Sequence, residues 1–436
     1  MEGAREFLLA AKHAEIRLLE QLALNCELVT AVSSLVHAIQ RERGASSMFL
    51  ASSGVKFADE LTTFRVQVSP CEAAFREALG RLDRDDARSA SSVRLFSHVA
   101  FVLHALDSLP ALRARVDSQE LSPEDAAILF GRLVTELLAV VFEAADAAAD
   151  PEVSRALVAL FNFMQGKELA GQERATGVAG FALGAFDEAR RQRLEHLIES
   201  QARCFEVFVE FADPDLLLRW QQLLDPTDEA ALKRLRTVAH SGSGDTRLGE
   251  RWFALTTERI DAMRRIEDAL TVRLAQLCKR RIADAEADLK SHRSVLDTLC
   301  DLDAQNGAST AVFLAAPTAR GGSASPPEGV ALQSGLGRSV LELVLAQAQR
   351  IEQIGDELNA ARTALEERKL IERGKGLLMT HRGLTEDQAY RLMRQTAMDQ
   401  GRRLVDVAQS VLAIGPLLGE TDGAGRARRP TGSTPS

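Results

Sequence analysis

Residues Gln40–Ala51 read QRERGASSMFLA, and the same design returns at Gly171–Ala182 as GQERATGVAGFA. The offset of 131 residues pairs Glu42 with Glu173, Arg43 with Arg174, Gly44 with Ala175 and Ala51 with Ala182. In each copy a Glu-Arg pair is followed by small residues and then by an apolar run. That order lets helices approach closely while an arginine enters the space between them, so two helical halves of similar design are expected. A guanidinium taken out of water needs an anion or a carboxylate beside it, because burying it alone is costly. Arg43 and Arg174 can therefore pair with Glu42, Glu173 or other acids, or can line a shared anion site, and their recurrence at matching points favours the second reading.

The rest of the chain is consistent with helices throughout. It has 436 residues, 46% hydrophobic and only 5% aromatic, enough for two or three domains. Six prolines precede Thr310 (Pro70, Pro110, Pro123, Pro151, Pro214 and Pro226), all expected at helix boundaries, and no run of alternating β-branched residues suggests a sheet. No long uninterrupted apolar stretch and no signal-peptide core appear, so a cytoplasmic protein without membrane contact is expected. Cys26, Cys71, Cys204, Cys278 and Cys300 lack paired spacing, which points to reduced, mostly buried thiols and away from a disulfide frame or a zinc site. No phosphate loop, phosphorelay pair or nucleophile with a partner is present, so neither an enzyme nor a cofactor is expected.

Ala316–Arg338 is rich in Gly, Ser and Pro and reads as a flexible linker. Beyond it, Val344, Ile351, Leu358 and Leu365 recur every seven residues, with Val340, Gln347, Ile354 and Ala361 on the companion positions. This stripe at 339–368 suits either a short dimeric coiled coil or packing on the chain's own helices.

From Ile371 to Leu412 the sequence is IERGKGLLMTHRGLTEDQAYRLMRQTAMDQGRRLVDVAQSVL. Gly383 can close one helix in the left-handed conformation, and Thr385 followed by Glu386 and Asp387 caps the next. Ala389, Leu392, Met393, Thr396 and Ala397 recur at helical spacing until Gly401 interrupts; Leu404, Val405, Ala408, Val411 and Leu412 then form a third stripe. Between Lys369 and Ile414 there are eight basic against five acidic residues, a surplus of three in a chain of net charge -9. A basic end on an acidic protein suits a polyanion-binding output, although the same charges also suit a solvated helical face. Tyr390, the only tyrosine, is either core or a stacking platform for a base.

This C-terminal string resembles the ANTAR domain, an RNA-binding module of bacterial transcription antiterminators. The resemblance rests on Lys375, Gly376, Leu378, Met379, Gly383, Leu384, Ala389, Tyr390, Arg394, Ala397, Met398, Arg402 and Leu404. Gly374 departs from the family's usual Ala, at a helix cost of roughly 1 kcal/mol. The resemblance implies binding of leader RNA with tandem hairpins, whose splayed loop bases are readable. Lys375, Arg382, Tyr390, Arg394, Arg402 and Arg403 are the candidate RNA contacts, by charge and position.

QRERGAS with its apolar run resembles the NIT domain, a nitrate- and nitrite-sensing module. The resemblance implies two four-helix bundles with nitrate held by arginines from several helices. Arg43 and Arg174 match the motif arginines, Arg236 in LKRLRTVAH fits a further one with Arg234 competing, and Arg41 stands just before the motif core. The chemistry suits nitrate or nitrite: a flat monoanion meets two guanidinium donors at once, and arginine keeps its charge in a dry pocket. Glu42 and Glu173 would balance the excess charge, and unfilled arginines would repel and spread their helices until ligand draws them together.

The expected architecture is all-α. A helical lead-in (1–29) precedes a NIT-like pair of four-helix bundles (30–315), a linker (316–338) and a helical coiled-coil segment (339–368). A three-helix ANTAR module (369–416) and a disordered tail (417–436) complete it. The expected function is nitrate- or nitrite-responsive antitermination, with a homodimer as one form. A DNA-reading helix pair, or a helical scaffold for a protein partner, remain the alternatives.

Overall fold

The computed structural model describes residues 2–82, 90–223, 225–242, 244–306 and 335–418. These form thirteen helices with no strand among them: α1 (Glu2–Ala51), α2 (Ala58–Arg81), α3 (Ala90–Asp107), α4 (Leu109–Asp117), α5 (Pro123–Asp146), α6 (Pro151–Ala182) and α7 (Glu188–Phe211), then α8 (Pro214–Leu223), α9 (Pro226–His240), α10 (Leu248–Asn306), α11 (Gly335–Arg382), α12 (Glu386–Gln400) and α13 (Leu404–Leu418). The all-α expectation holds. The internal echo extends to topology, since each half comprises the motif helix, a second helix, a third element broken in two, and a fourth helix: α1, α2, α3–α4, α5, then α6, α7, α8–α9, α10.

The prolines explain much of this punctuation. Pro123, Pro151, Pro214 and Pro226 each open a helix and Pro110 is the second residue of α4, where the missing N–H would have had no helical partner. Ser122, Asp187 and Asp225 cap α5, α7 and α9 by accepting from the N–H groups of Asp125, Arg190 and Thr227. Pro70 departs from the expectation and lies inside α2. It and Val66, whose carbonyl loses its N–H partner there, are both exposed, so water can replace the missing bond.

The chain forms two compact units, Met1–Leu160 with Glu267–Asn359, and Phe161–Ile266 with Ala360–Ser436. In the first, α1 packs on α2 and α5, and α3 packs on α5. Val32, Leu35, Val36 and Ile39 of α1 and Phe130, Val134, Leu137 and Val141 of α5 are fully buried at three- and four-residue spacing. Truncating Phe130 to Ala would cost about 3–5 kcal/mol. Two stretches, Glu6–Ala51 and Val93–Asp117, are long and apolar enough by composition to cross a membrane. In this fold both supply bundle core, the second through Val102, Leu106, Leu109 and Val116.

In the second unit Phe181, Phe186, Leu194, Leu232, Leu235, Ala239 and Trp252 form one core cluster. Beside it, Phe163 meets Phe205, Phe208 and Trp220 edge-on, with centroids 4.9–5.7 Å apart. The C-terminal module has its own core of Leu378, Ala389, Met393, Ala397, Val407 and Ala408. Its punctuation is as expected: Gly383 (φ 63°) follows α11, Thr385 and Gln388 form a reciprocal capping box, and Gly401 (φ 59°) closes α12.

Helices run across three of the expected boundaries. The expected lead-in 1–29 and the start of the next segment share one helix, since α1 runs unbroken from Glu2 to Ala51 and Leu19, Leu22, Cys26 and Leu28 are buried. Helix α11 starts at Gly335, inside the expected linker. It also runs to Arg382 without a breaker, so the heptad segment and the first helix of the C-terminal module are one element. Of the stripe, Leu358, Ala361 and Leu365 are buried within the single chain, as the self-packing alternative requires. The side chains of Val340, Val344, Gln347, Ile351 and Ile354, most of the linker and the tail beyond Leu418 lie outside the described residues.

Candidate functional site

Each half centres on its motif glutamate. In the second unit Glu173 on α6 is buried, and Arg236 on α9 grips it with both Nε (2.7 Å) and Nη2 (2.8 Å). Arg259 on α10 approaches the same carboxylate at 3.6 Å, while the Gln201 amide donates to it at 2.7 Å and accepts from Arg259 at 2.9 Å. Desolvation pulls the Arg259 guanidinium down to about 10, against the attraction of Glu173 and with the repulsion of Arg236. It stays charged at neutral pH, so two guanidiniums share one carboxylate here.

In the first unit Glu42 on α1 is fully buried, and Arg113 on α4 grips it at 2.7 Å through both Nε and Nη2. Arg65 on α2 approaches Glu42 at 3.5 Å and also pairs with Asp117 at 2.9 Å. The helix after the break in the third element thus supplies the carboxylate's main partner in both halves.

The expected arginines are placed unequally. Arg43 is buried, with Nη1 beside Gly131 of α5, where an added Cβ would stand 3.9 Å away. Arg174 is half-buried; it donates to Thr257 Oγ1 at 3.1 Å and lies over the Phe253 ring. Of the competing pair, Arg236 turns inward to Glu173 while Arg234 is exposed. Arg236 thereby commits two donors to a carboxylate, not to a free position. Arg41 is exposed on α1, bonded to Gln67 at 2.9 Å and stacked on Phe64 of α2, so it stands outside these centres. Arg113, Arg65, Arg259 and Gln201 were not foreseen. They lie on other helices, and no local spacing marks them.

The C-terminal module carries the second site. One stripe of α7, Gln192, His196, Glu199 and Arg203, meets α12. The Tyr390 ring packs against His196 (4.8 Å between centroids) and beneath the Arg203 guanidinium (4.7 Å). Arg394 pairs with Glu199 at 2.8 Å, and Arg391 donates to Gln192. Tyr390 is buried by this contact and is not part of the module's own core cluster, and burial raises its phenol above the ordinary range. At the base of the module, Arg368 of α11 donates to Asn162 and Cys204 and lies over Phe161.

Lys375 does not reach solvent as an RNA contact would. Buried, it bridges Glu372 at 2.8 Å and Glu386 at 2.9 Å, tying α11 to α12. Desolvation acts to lower its ammonium, but the two carboxylates outweigh it and hold it above the ordinary lysine value. Lys375 in turn lowers Glu386. Arg382, Arg402 and Arg403 are exposed, with Arg403 also reaching Glu367.

Paired helical bundles with a buried Glu-Arg centre in each, one of them holding a small basic three-helix module by its arginines and tyrosine, define a sensor–effector regulator. The nitrate and nitrite sensing (NIT) pattern matches residues 34–275, and the ANTAR domain matches 359–412. The chain belongs to the nitrate and nitrite sensing family and is a regulator of the antiterminator class, with a NIT sensor joined to an ANTAR output domain. Over 412 residues it is 34% identical to the nitrate regulatory protein of Klebsiella oxytoca, spanning 93% of this chain and 94% of that one. It resembles the solved structure of the NasR transcription antiterminator, with 32% identity and a TM-score of 0.58 over 94% of this chain and 99% of that one. The C-terminal end is 38% identical over 72 residues to the transcriptional regulatory protein PdtaR of Mycobacterium tuberculosis, 35% of that protein's length.

Proposed function

We propose that nitrate or nitrite, bound at the arginine centre of either half (Arg43 in the first, Arg174 and Arg236 in the second), controls whether the ANTAR domain is free to bind a leader RNA with tandem hairpins and so prevent a terminator from forming. The contact between α7 and α12 carries this reading. Tyr390 and Arg394, the aromatic and the cation best suited to stack on a base and pair with a phosphate, are both occupied by sensor side chains. RNA therefore competes with α7 for α12, and the anion acts by shifting that competition. Arg382, Arg402 and Arg403 extend the basic face beyond the contact, while Lys375 holds the module together.

The anion reaches this equilibrium through the arginine centres. Bringing a monoanion to guanidiniums that already crowd a buried carboxylate redistributes their pairing, and Glu173 links α6, α7, α9 and α10 in one network through Gln201, Arg236 and Arg259. Helix α7 carries both Gln201 and the stripe that holds α12. A small rearrangement at Glu173 is thus transmitted along one rigid element to the docking face. The restrained form uses Leu358, Ala361 and Leu365 internally, so a homodimer, where it forms, belongs to the released state. The protein acts in the cytoplasm, where leader RNA is made.

The test is the binding of a tandem-hairpin leader RNA to the full-length protein at fixed ionic strength, with nitrate, nitrite, chloride or sulfate. Tighter RNA binding with nitrate or nitrite alone supports the scheme. Equal binding in all four salts removes the anion-controlled step, and preference for duplex DNA removes the RNA target.

A further inference from the structure

We infer that the hydroxyl of Ser46 is an additional ligand for the anion, completing the donor set of Arg43 and favouring nitrate over nitrite. The inference rests on the nitrate reading above. Ser46 is completely buried, and its Oγ has no hydrogen-bond partner among the described residues. Leaving a buried hydroxyl unpaired opposes folding. Helical hydroxyls such as Ser97 and Ser410 avoid that by donating to the carbonyl four residues back, at Val93 and Asp406, while Ser154 on α6 shares the unpartnered state of Ser46. Ser46 has the same option at Glu42 and does not use it. Its neighbour three residues earlier, on the same face of α1, is Arg43, whose guanidinium is also buried.

The second half shows what this position looks like when it is closed. The residue equivalent to Ser46 there is Gly177, and Trp252 of α10 fills the space: a Cβ on Gly177 would stand 2.1 Å from the indole. The indole N–H is satisfied by the carbonyl of Arg174 at 3.0 Å. The two halves therefore differ at one point of a shared design, where the second places an apolar plug and the first an unused donor beside an arginine. Nitrate has three oxygens in a plane and a guanidinium meets two of them, which leaves the third for a separate donor. Nitrite has only two oxygens and needs no third donor. The Ser46 hydroxyl fits that difference.

Calorimetric titration of the full-length protein with sodium nitrate and with sodium nitrite, at fixed ionic strength in chloride, tests this on the wild type, Ser46→Ala, Ser46→Cys and Arg43→Gln. Ser46→Cys keeps nearly the same volume but loses the strong donor. Ser46→Ala and Ser46→Cys are both expected to bind nitrate roughly tenfold more weakly, with nitrite affected much less. Their unfolding temperatures are expected to be no lower than the wild type's. Nitrate affinity unchanged in both serine variants, with Arg43→Gln defective, overturns the role of Ser46 and leaves the nitrate reading standing. Loss in Ser46→Ala but not in Ser46→Cys assigns the effect to packing and overturns the inference as well. A wild type that binds neither anion overturns both the inference and the nitrate reading.

Discussion

Glu42 and Glu173 show how far single residues could be read in advance. Their place in the repeated motif identified them as partners for buried arginines, but the arginines that grip them, Arg113 and Arg236, come from 71 and 63 residues away. Arg113 has the spacing of an ordinary helical arginine, and Arg236 is marked by the family resemblance as an anion ligand and not as a partner of Glu173; only the packed bundle reveals these pairings. The pairing makes a firm expectation. Replacing one partner of a buried ion pair strands the other, so Glu173→Gln should destabilise its unit by about 3 kcal/mol, because Arg236 and Arg259 then face each other without a counter-charge. Thermal unfolding measures this, and an unchanged transition would mean that water already screens the pair. Lys375 makes a different point at the same scale, since its charge suggested RNA contact while its burial assigns it to the joint between α11 and α12. The sign of its pH dependence follows from the shifts. Glu386 is lowered, so its contribution is present above the ordinary carboxylate range and is lost as acid protonates it; Lys375 is raised, so its contribution is complete below the ordinary lysine value of 10.5 and is lost above it. The C-terminal module should therefore hold a stability plateau across neutral pH that falls at both ends, and Lys375→Met should flatten the profile recorded by circular dichroism.

The helices of the C-terminal module were legible because their ends are set by local chemistry. Gly383, Thr385 and Gly401 act within one turn of where they stand, so α12 begins and stops where the sequence indicates. The long helices were not divisible in the same way: nothing between Glu2 and Ala51 or between Gly335 and Arg382 interrupts the helix, and domain boundaries placed there had no physical mark. The docking stripe on α7 carries no mark in the sequence, because Gln192, His196, Glu199 and Arg203 are polar, as residues of any solvated helical face are. That stripe can be tested without touching an RNA-binding candidate. Glu199→Lys and the pair His196→Ala with Arg203→Ala weaken the hold of α7 on α12 from the sensor side. An exposed ion pair contributes about 0.2–1 kcal/mol, and the stacked Tyr390 contact about 1–2 kcal/mol. RNA affinity without nitrate should rise about two- to fivefold for Glu199→Lys and more for the double variant, as read by fluorescence anisotropy. Arg394→Glu added to Glu199→Lys restores docking charge but removes a proposed RNA contact, so it should bind RNA poorly in every salt.

For the whole molecule the proposed mechanism has both ligands act on one equilibrium. If nitrate favours the state in which α12 leaves α7, and RNA binds only that state, each ligand must tighten the other by the same factor. The factor is bounded by the differential affinity of nitrate for the two states, and ordinary coupling of about 1–3 kcal/mol gives roughly 5- to 150-fold. Weakening the α7–α12 contact raises RNA affinity without nitrate and must lower the nitrate dependence by a corresponding amount, because less closed state remains to be shifted. The Glu199→Lys protein should therefore bind RNA better in chloride, show a smaller nitrate effect, and reach a similar affinity in saturating nitrate. Measuring nitrate affinity by calorimetry with and without saturating RNA, and RNA affinity by anisotropy with and without saturating nitrate, gives the coupling factor twice from independent data. Agreement between the two values ties the arginine centres and the α12 face to a single two-state switch. A nitrate effect on RNA binding that is unmatched by an RNA effect on nitrate binding would mean that the anion acts on the RNA or on a third state, and the docking of Tyr390 on α7 would then not be the element the signal controls.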